Sequence, residues 1–336
     1  MQEFDIINNY FKKLARTKES LELKDDTALI LASNYKKVIT LDTIVEGTHF
    51  FNLDNPKSIA TKLLETNLSD ISSMGANPKY WLFSISFPKN RNVINKDWLD
   101  KFTNTLLNIQ KKYNFFLIGG DTTSTNDKLV LSATMIGYLK PSENPLLKSG
   151  AKEGDIICVG GPIGDSFIGY NLLSNELEQK QINIFDITSK LNKQYFINKY
   201  LYPKAQVDMG KILVKYANSC TDISDGLVAD LEKICNFSNK QGVIYLDKIP
   251  FSVNAKKLLC TQEKKLSAIT WGDDYKLVFT LSSKNLLNLN KYLLKLNLRI
   301  YPIGHIKKRS NINNLILLDS NNNEIKINQK GFKHFF

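Results

Sequence analysis

Strand-patterned and helix-patterned segments alternate through most of this 336-residue chain, and the alternation breaks once, at Pro141-Ser142-Glu143-Asn144-Pro145. Such alternation selects layered α/β architectures over all-helical or all-strand ones. Residues 38–41, 81–87, 115–118 and 129–136 read as strands, with Phe83, Ile85 and Phe87 on one face of the second. Residues 56–74 read as a helix opened by a proline. Leu99, Phe102, Leu106, Ile109 and Tyr113 mark another helix, and Phe4, Ile7, Phe11 and Leu14 recur at helical spacing. Past the break, residues 156–159 begin a second α/β half. It continues with a helix over about residues 226–235 and strands near 243–246 and 277–281. The expected organisation is two α/β (α+β) domains of mixed sheets flanked by helices, residues 1–143 and 144–336. At about 150 residues per domain the length agrees.

Lys and Arg total 45 against 33 Asp and Glu, a formal charge of +12. The lysines are scattered, and runs such as Lys307-Lys308-Arg309 are too short for a phosphate-tracking stripe. The charge therefore reads as solvated surface, and no nucleic-acid partner is expected. No apolar run approaches bilayer length, so no membrane partner is expected either. Cys158, Cys220, Cys235 and Cys260 lie far apart with no C-x-x-C pair, which argues against a disulfide scaffold or a thiolate metal site. Met1-Gln2-Glu3-Phe4-Asp5 is not a basic stretch followed by an apolar block, so a cytoplasmic location is expected.

There is no G-x-x-x-x-G-K-[ST], no G-x-G-x-x-G and no H-E-x-x-H, and there are only three histidines. What stands out is the placement of aspartates. Asp42 is expected to end the strand Val38-Ile39-Thr40-Leu41, and Asp121 the strand Phe116-Leu117-Ile118-Gly119-Gly120. Asp25-Asp26 precede Ala28-Leu29-Ile30-Leu31, and Asp222-Ile223-Ser224-Asp225-Gly226 opens a helix. Strand ends are where α/β folds build sites, and hard oxygen donors suit Mg²⁺. Each aspartate taken singly also fits a turn or helix cap, Asp225 above all. Asp70 falls at the edge of the apolar half of its helix, about 20° from Ile59 on a 100°-per-residue wheel. A carboxylate there needs a hydrogen-bonded partner or a metal. The turn Gly160-Gly161-Pro162-Ile163-Gly164-Asp165-Ser166 could offer amides to an anion, and Asp273-Asp274 precede another strand. His49 alone reads as structural or as a ligand.

Together the segments resemble the thiamine-monophosphate kinase family of the aminoimidazole-ribonucleotide-synthetase-like superfamily. The resemblance rests on Asp25-Asp26-Thr27-Ala28, Leu41-Asp42-Thr43-Ile44-Val45-Glu46-Gly47-Thr48-His49-Phe50 and Asn67-Leu68-Ser69-Asp70-Ile71-Ser72-Ser73-Met74-Gly75-Ala76. It continues through Ile118-Gly119-Gly120-Asp121-Thr122-Thr123, Gly164-Asp165-Ser166, Asp222-Ile223-Ser224-Asp225-Gly226-Leu227, Gly272-Asp273-Asp274-Tyr275-Lys276-Leu277 and Gly331-Phe332-Lys333-His334-Phe335. It implies ATP-dependent phosphorylation of thiamine monophosphate to thiamine diphosphate, several Mg²⁺ ions, and a homodimer paired through its N-terminal halves. On that resemblance Asp26, Asp42, Asp70, Asp121 and Asp222 ligate metal, joined by Thr40, with Asp225 close by. Gly120, Asp121, Lys148 and Ser224 contact ATP, while His49, Asp273 and Phe332 contact the thiamine substrate. Asp42, Asp121 and Asp222 form the catalytic core.

Four positions depart from the family pattern. Lys24 precedes Asp25 where Gly is frequent. Asp273 stands where Glu is more frequent, and Lys148 where Arg is common. Leu41 replaces a frequent hydroxyl residue, so any metal ligation there must use its backbone oxygen. Selenophosphate synthetase, a superfamily relative, carries a reactive residue near its N-terminus, whereas the first cysteine here is Cys158.

Charge sets the expected mechanism. A phosphate monoester with a second pKa of about 6 is mostly ionised at neutral pH, so no strong general base is needed. The obstacle is repulsion between anions, which bridging cations offset.

Overall fold

The computed structural model describes residues 3–24, 27–51, 55–89, 94–177, 190–309 and 313–331. The chain divides into two compact units, Met1–Ile71 with Ala76–Asn144, and Ser72–Gly75 with Pro145–Phe336. Asp25, Asp26 and Phe332–Phe335 lie outside the described residues. No helix among the described residues is long and apolar enough to cross a membrane.

The first unit opens with α1 (Glu3–Ile6) and short helical turns to Leu23. It continues through β1 (Lys36–Val45), α2 (Pro56–Ser73), β2 (Asn77–Pro88), α3 (Lys96–Tyr113), β3 (Phe116–Thr125) and β4 (Val130–Leu139). The strands form one sheet in the order β1-β4-β2-β3, parallel between β2 and β3 and otherwise antiparallel. Two strands run further than expected. The β-branched and hydroxyl residues after each aspartate, Thr43-Ile44-Val45 and Thr122-Thr123-Ser124-Thr125, continue the ladder. Asp42 and Asp121 therefore lie inside their strands, opposite Ala133 and Ser84, and not at strand ends.

Residues alternate between the two faces of the sheet. One face carries Thr40, Asp42, Phe83, Trp81 and Met135 and is covered by α2 and α3. Thr40 bonds Asp70 of α2 across this face, and the Trp81 indole donates to Gln110 of α3 at 3.0 Å. The other face carries Leu41, Ser84, Asp121, Ser132 and Thr134. On β1, an edge strand, Ile39 and Leu41 are 66% and 62% exposed.

The wheel assigns α2 an apolar and a polar half, yet the structure buries both. Lys62, Glu65, Thr66 and Ser69 are inside with Leu63, Leu64 and Leu68. Buried polar groups require partners. Lys62 donates to the His49 carbonyl at 2.9 Å, and Glu65 lies 3.7 Å from the Lys112 ammonium.

The second unit contains β5 (Ile156–Val159), α4 (Asp165–Leu177), α5 (Lys190–Leu201), α6 (Val207–Leu213), β6 (Ser219–Asp222), α7 (Leu227–Phe237) and β7 (Lys240–Tyr245). It ends with α8 (Val253–Leu258), α9 (Gln262–Trp271), β8 (Leu277–Leu281), α10 (Ser283–Lys295), β9 (Tyr301–Lys308) and β10 (Leu315–Leu318). Its sheet runs β10-β7-β9-β5-β8-β6, antiparallel except between β10 and β7. Asp222, read as part of a segment that opens a helix, is the last residue of β6, a strand the sequence reading did not pick out, and α7 begins five residues later.

Phe102 on α3 is fully buried and stacks on Trp98 with ring centroids 4.8 Å apart. Phe102→Ala is expected to cost about 3–5 kcal/mol in urea unfolding, from lost transfer energy and the cavity left behind. A cost below about 1 kcal/mol would contradict this packing.

Candidate functional site

In the N-terminal unit, β1 and α2 bring two carboxylates together. The Thr40 hydroxyl on β1 donates to Asp70 on α2 at 2.5 Å, and the Thr66 hydroxyl bonds Asp42. Burial first, and the Asp70 carboxylate second, push Asp42 up to about 6 against that hydrogen bond. Two carboxylates that resist joint ionisation form a site that a cation would stabilise. The donors are all oxygen, which fits Mg²⁺. No three His, Cys, Asp or Glu side chains among the described residues form a metal-binding group. A pair is nonetheless what Mg²⁺ uses when it is shared with substrate phosphates, through one or two carboxylates.

Asp121 lies on the opposite face of the sheet from Asp42, because its register partner Ser84 alternates with Phe83. It lines a cavity of about 550 Å³ that draws residues from all four strands of the sheet. Ser84, Ser132 and Thr134 give that cavity polar walls, while Phe11, Leu23 and Leu82 give it apolar ones. Gly120 also lines it. A Cβ at Gly120 would lie 2.0 Å from the Phe83 carbonyl oxygen, so only glycine lets β3 pass this close to β2. Leu41 borders the cavity too, with its side chain on the Asp121 face. His49 accepts the Val45 amide at Nδ1, 3.0 Å away, which places the ring proton on Nε2.

In the C-terminal unit, the Asp222–Gly226 and Gly272–Lys276 loops extend the β6–β8 pairing. The amides of Ile223, Tyr275 and Asp273 donate to the carbonyls of Lys276, Ile223 and Ser224 at 2.8, 2.9 and 3.0 Å. This brings Asp222, Ser224, Asp225 and Asp273 into one neighbourhood. Gly272 has φ 108°, and a Cβ there would meet the Ser224 oxygen at 2.2 Å. Asp273 and Tyr275 also have positive φ, 57° and 49°, and the Tyr275 hydroxyl donates to Asp273 at 2.9 Å. Lys148 begins a 3-10 turn whose carbonyl accepts from Ser238. Burial and then Asp222 push the Cys220 thiol up while Lys148 pulls it down, so both charges reach Cys220. Gly331 packs against Asp225 and Ala229, which puts the residue before Phe332 beside this loop.

Two segments singled out in the sequence carry partners from within the unit. Three amides of the Gly160–Ser166 turn have acceptors within the unit. Its Gly160 and Ile163 amides donate to Leu277 and Pro250 carbonyls, and its Gly164 amide donates to the Asp274 carboxylate at 2.9 Å. Asp274 also accepts from Ser166, and burial pushes it up to about 7. It is the internal hydrogen-bond acceptor of that turn. Asp225, read as a metal ligand or a cap, is held in an ion pair with Lys233 at 2.6 Å. Lys233 also meets Asp230 at 2.7 Å. Burial opposes the Lys233 charge, but these carboxylates outweigh it and push its pKa up. Sequence reasoning did not select Asp230 or Lys233. The available signal was an acid in the first turn of α7 followed three residues later by a lysine.

Residues 24–139 match the AIR synthase related protein N-terminal domain, and residues 152–313 match the C-terminal domain of the same family. The chain is 38% identical over 341 residues to the thiamine-monophosphate kinase of Buchnera aphidicola subsp. Acyrthosiphon pisum (strain APS), covering 99% of this chain and 98% of that one. The chain belongs to the thiamine-monophosphate kinase family. The family's enzyme from Escherichia coli (strain K12) is 31% identical over 336 residues, with 99% of this chain and 98% of that one covered. The crystal structure of the family's enzyme from Stenotrophomonas maltophilia K279a superposes with a TM-score of 0.81 at 30% identity, covering 94% of this chain and 96% of that one. AaThiL complexed with AMPPCP and TMP gives a TM-score of 0.75 at 27% identity, over 99% of this chain and 97% of that one.

The Asp42 shift has a defined sign. Its folded pKa lies above its unfolded value, so ionised Asp42 costs stability at neutral pH, and protonation relieves that cost as pH falls through about 6. Metal-free Asp42→Asn protein should melt higher than wild type at pH 7.5, by about 2–4 °C for each kcal/mol relieved. The difference should vanish near pH 4. Melting curves that coincide at every pH would contradict the raised Asp42 pKa, to which burial contributes first and Asp70 second.

Proposed function

We propose that this protein phosphorylates thiamine monophosphate with ATP, giving thiamine diphosphate in the cytoplasm. Family membership over nearly the whole chain supports the reaction class. The paired Asp42 and Asp70 carboxylates are the structural observation that carries the mechanism.

In this reading Asp42 and Asp70 hold Mg²⁺, with Thr40, the Leu41 carbonyl and Asp26 as further candidates. Asp222 serves the same purpose in the C-terminal unit with Asp225 beside it, and Asp121, on the opposite face of the sheet from Asp42, would hold metal separately from the Asp42–Asp70 pair. Bound Mg²⁺ would neutralise phosphate charge and draw electron density from the transferred phosphoryl group. Gly120, Asp121, Ser224 and Lys148 are the residues that serve ATP in this reading. Lys148 acts as a point charge without the fork of an arginine. His49 offers its Nε2 proton to the substrate, while Asp273 and Phe332 complete recognition of the thiamine moiety. The acceptor phosphate arrives ionised, so these residues need only orient it and exclude water.

A homodimer accompanies this reading. The exposed apolar residues Leu29, Leu31, Tyr35, Ile39 and Leu41 lie on β1 and the segment before it. They form an apolar surface that a second copy would cover.

The test is product formation. Purified protein is incubated with ATP, Mg²⁺ and thiamine monophosphate, and the products are oxidised to thiochromes and separated. Thiamine diphosphate should appear only when ATP and Mg²⁺ are both present, and its absence would overturn the reading. Asp42→Asn and Asp70→Asn should each lower turnover by roughly 100-fold or more, since loss of even outer-shell partners costs 10–100-fold. Activity within a few-fold of wild type would overturn the metal assignment.

A further inference from the structure

We propose that Asp230 and Lys233 are positioning residues for nucleotide binding: Asp230 shapes the Ser224–Gly226 loop, and Lys233 fixes Asp225 within it. The proposal rests on the reading that this loop serves the Mg²⁺-nucleotide. Asp230 is 1% exposed, and its Oδ2 accepts three consecutive amides, Ser224 at 3.0 Å, Asp225 at 2.9 Å and Gly226 at 3.2 Å. Its Oδ1 accepts from Lys233 Nζ at 2.7 Å, and the same ammonium reaches Asp225 Oδ2 at 2.6 Å.

An ordinary helix cap stands before the helix and accepts amides inside its first turn. Asp230 does the reverse. It sits within α7 and reaches back to amides that precede the helix. Three consecutive amides turned one way make an anion nest, and the protein fills this one with its own carboxylate. The Ser224 carbonyl is likewise taken by the Asp273 amide. With both amides and the Ser224 carbonyl engaged, the Ser224 and Asp225 side chains are what we take the loop to offer a nucleotide. The Asp225 carboxylate is held by the Lys233 bridge. Losing the bridge leaves a partly buried carboxylate with one fewer counter-ion and an unfixed position.

The experiment is calorimetric titration of wild type, Lys233→Met, Lys233→Arg and Asp230→Asn with a nonhydrolysable ATP analogue and Mg²⁺, with melting curves beside it. Lys233→Met should weaken analogue binding by about ten-fold or more, the size seen when an outer-shell partner is lost. In turnover assays it should raise the KM for ATP more than that for thiamine monophosphate. Lys233→Arg, which can bridge both carboxylates, should restore most of the affinity. Asp230→Asn should weaken binding further, and if it does not fold, the two Lys233 variants still decide. Lower melting temperatures with unchanged analogue affinity would assign the pair a purely structural role and overturn the proposal. Wild-type protein that binds the analogue but makes no thiamine diphosphate would overturn the functional reading and leave this one to be decided by the variants. Wild-type protein that binds no analogue would overturn both.

Discussion

Two carboxylates that cannot both ionise cheaply stand side by side in the N-terminal unit, Asp42 on β1 and Asp70 on α2, and much of that unit serves to hold them there. β1 continues past Asp42 into Thr43-Ile44-Val45, so the side chain is fixed by strand alternation and not left on a loop. α2 is buried around its circumference, with Lys62 and Glu65 satisfied internally, so Asp70 cannot move away from its neighbour. Thr40 and Thr66 supply hydroxyl donors but no countercharge. Rigid placement of like charges costs stability, which a bound cation would recover. On the proposed reading, that exchange ties binding of Mg²⁺ and nucleotide to this pair.

The C-terminal unit shows a complementary economy. Two of its turns carry amides that a carboxyl group of the same unit accepts. Asp274 occupies the Gly164 turn and Asp230 occupies the Ser224–Gly226 turn. On the proposed reading, lysine side chains and bound Mg²⁺ supply the charge that faces phosphate.

The two-layer α/β architecture was legible because hydrophobic periodicity is local. Residues 56–74 and 277–281 carry their helix and strand patterns in neighbouring positions. The wheel also placed Asp70 at the edge of the apolar face, and it is half-buried there. Strand ends were harder. Asp42 and Asp121 interrupt apolar runs and look terminal, but cross-strand pairing carries both ladders onward. That pairing, invisible to a single segment, also puts the two aspartates on opposite faces. Asp230 escaped notice for a related reason. Its contacts depend on a loop that doubles back onto the first turn of α7, and composition cannot show that. Asp26 and Phe332 lie outside the described residues, so their placement stands on the resemblance alone.

The most direct test is the carboxyl pKa of Asp42, followed by carbon NMR of protein labelled at aspartate. Without metal the account predicts titration near about 6. With Mg²⁺ and a nonhydrolysable ATP analogue it predicts a fall below about 4, because a bound cation favours the ionised form. An Asp42 that titrates near the ordinary value of about 3.9 in metal-free protein, or that ignores Mg²⁺ and nucleotide, would contradict the claim that this pair holds the metal.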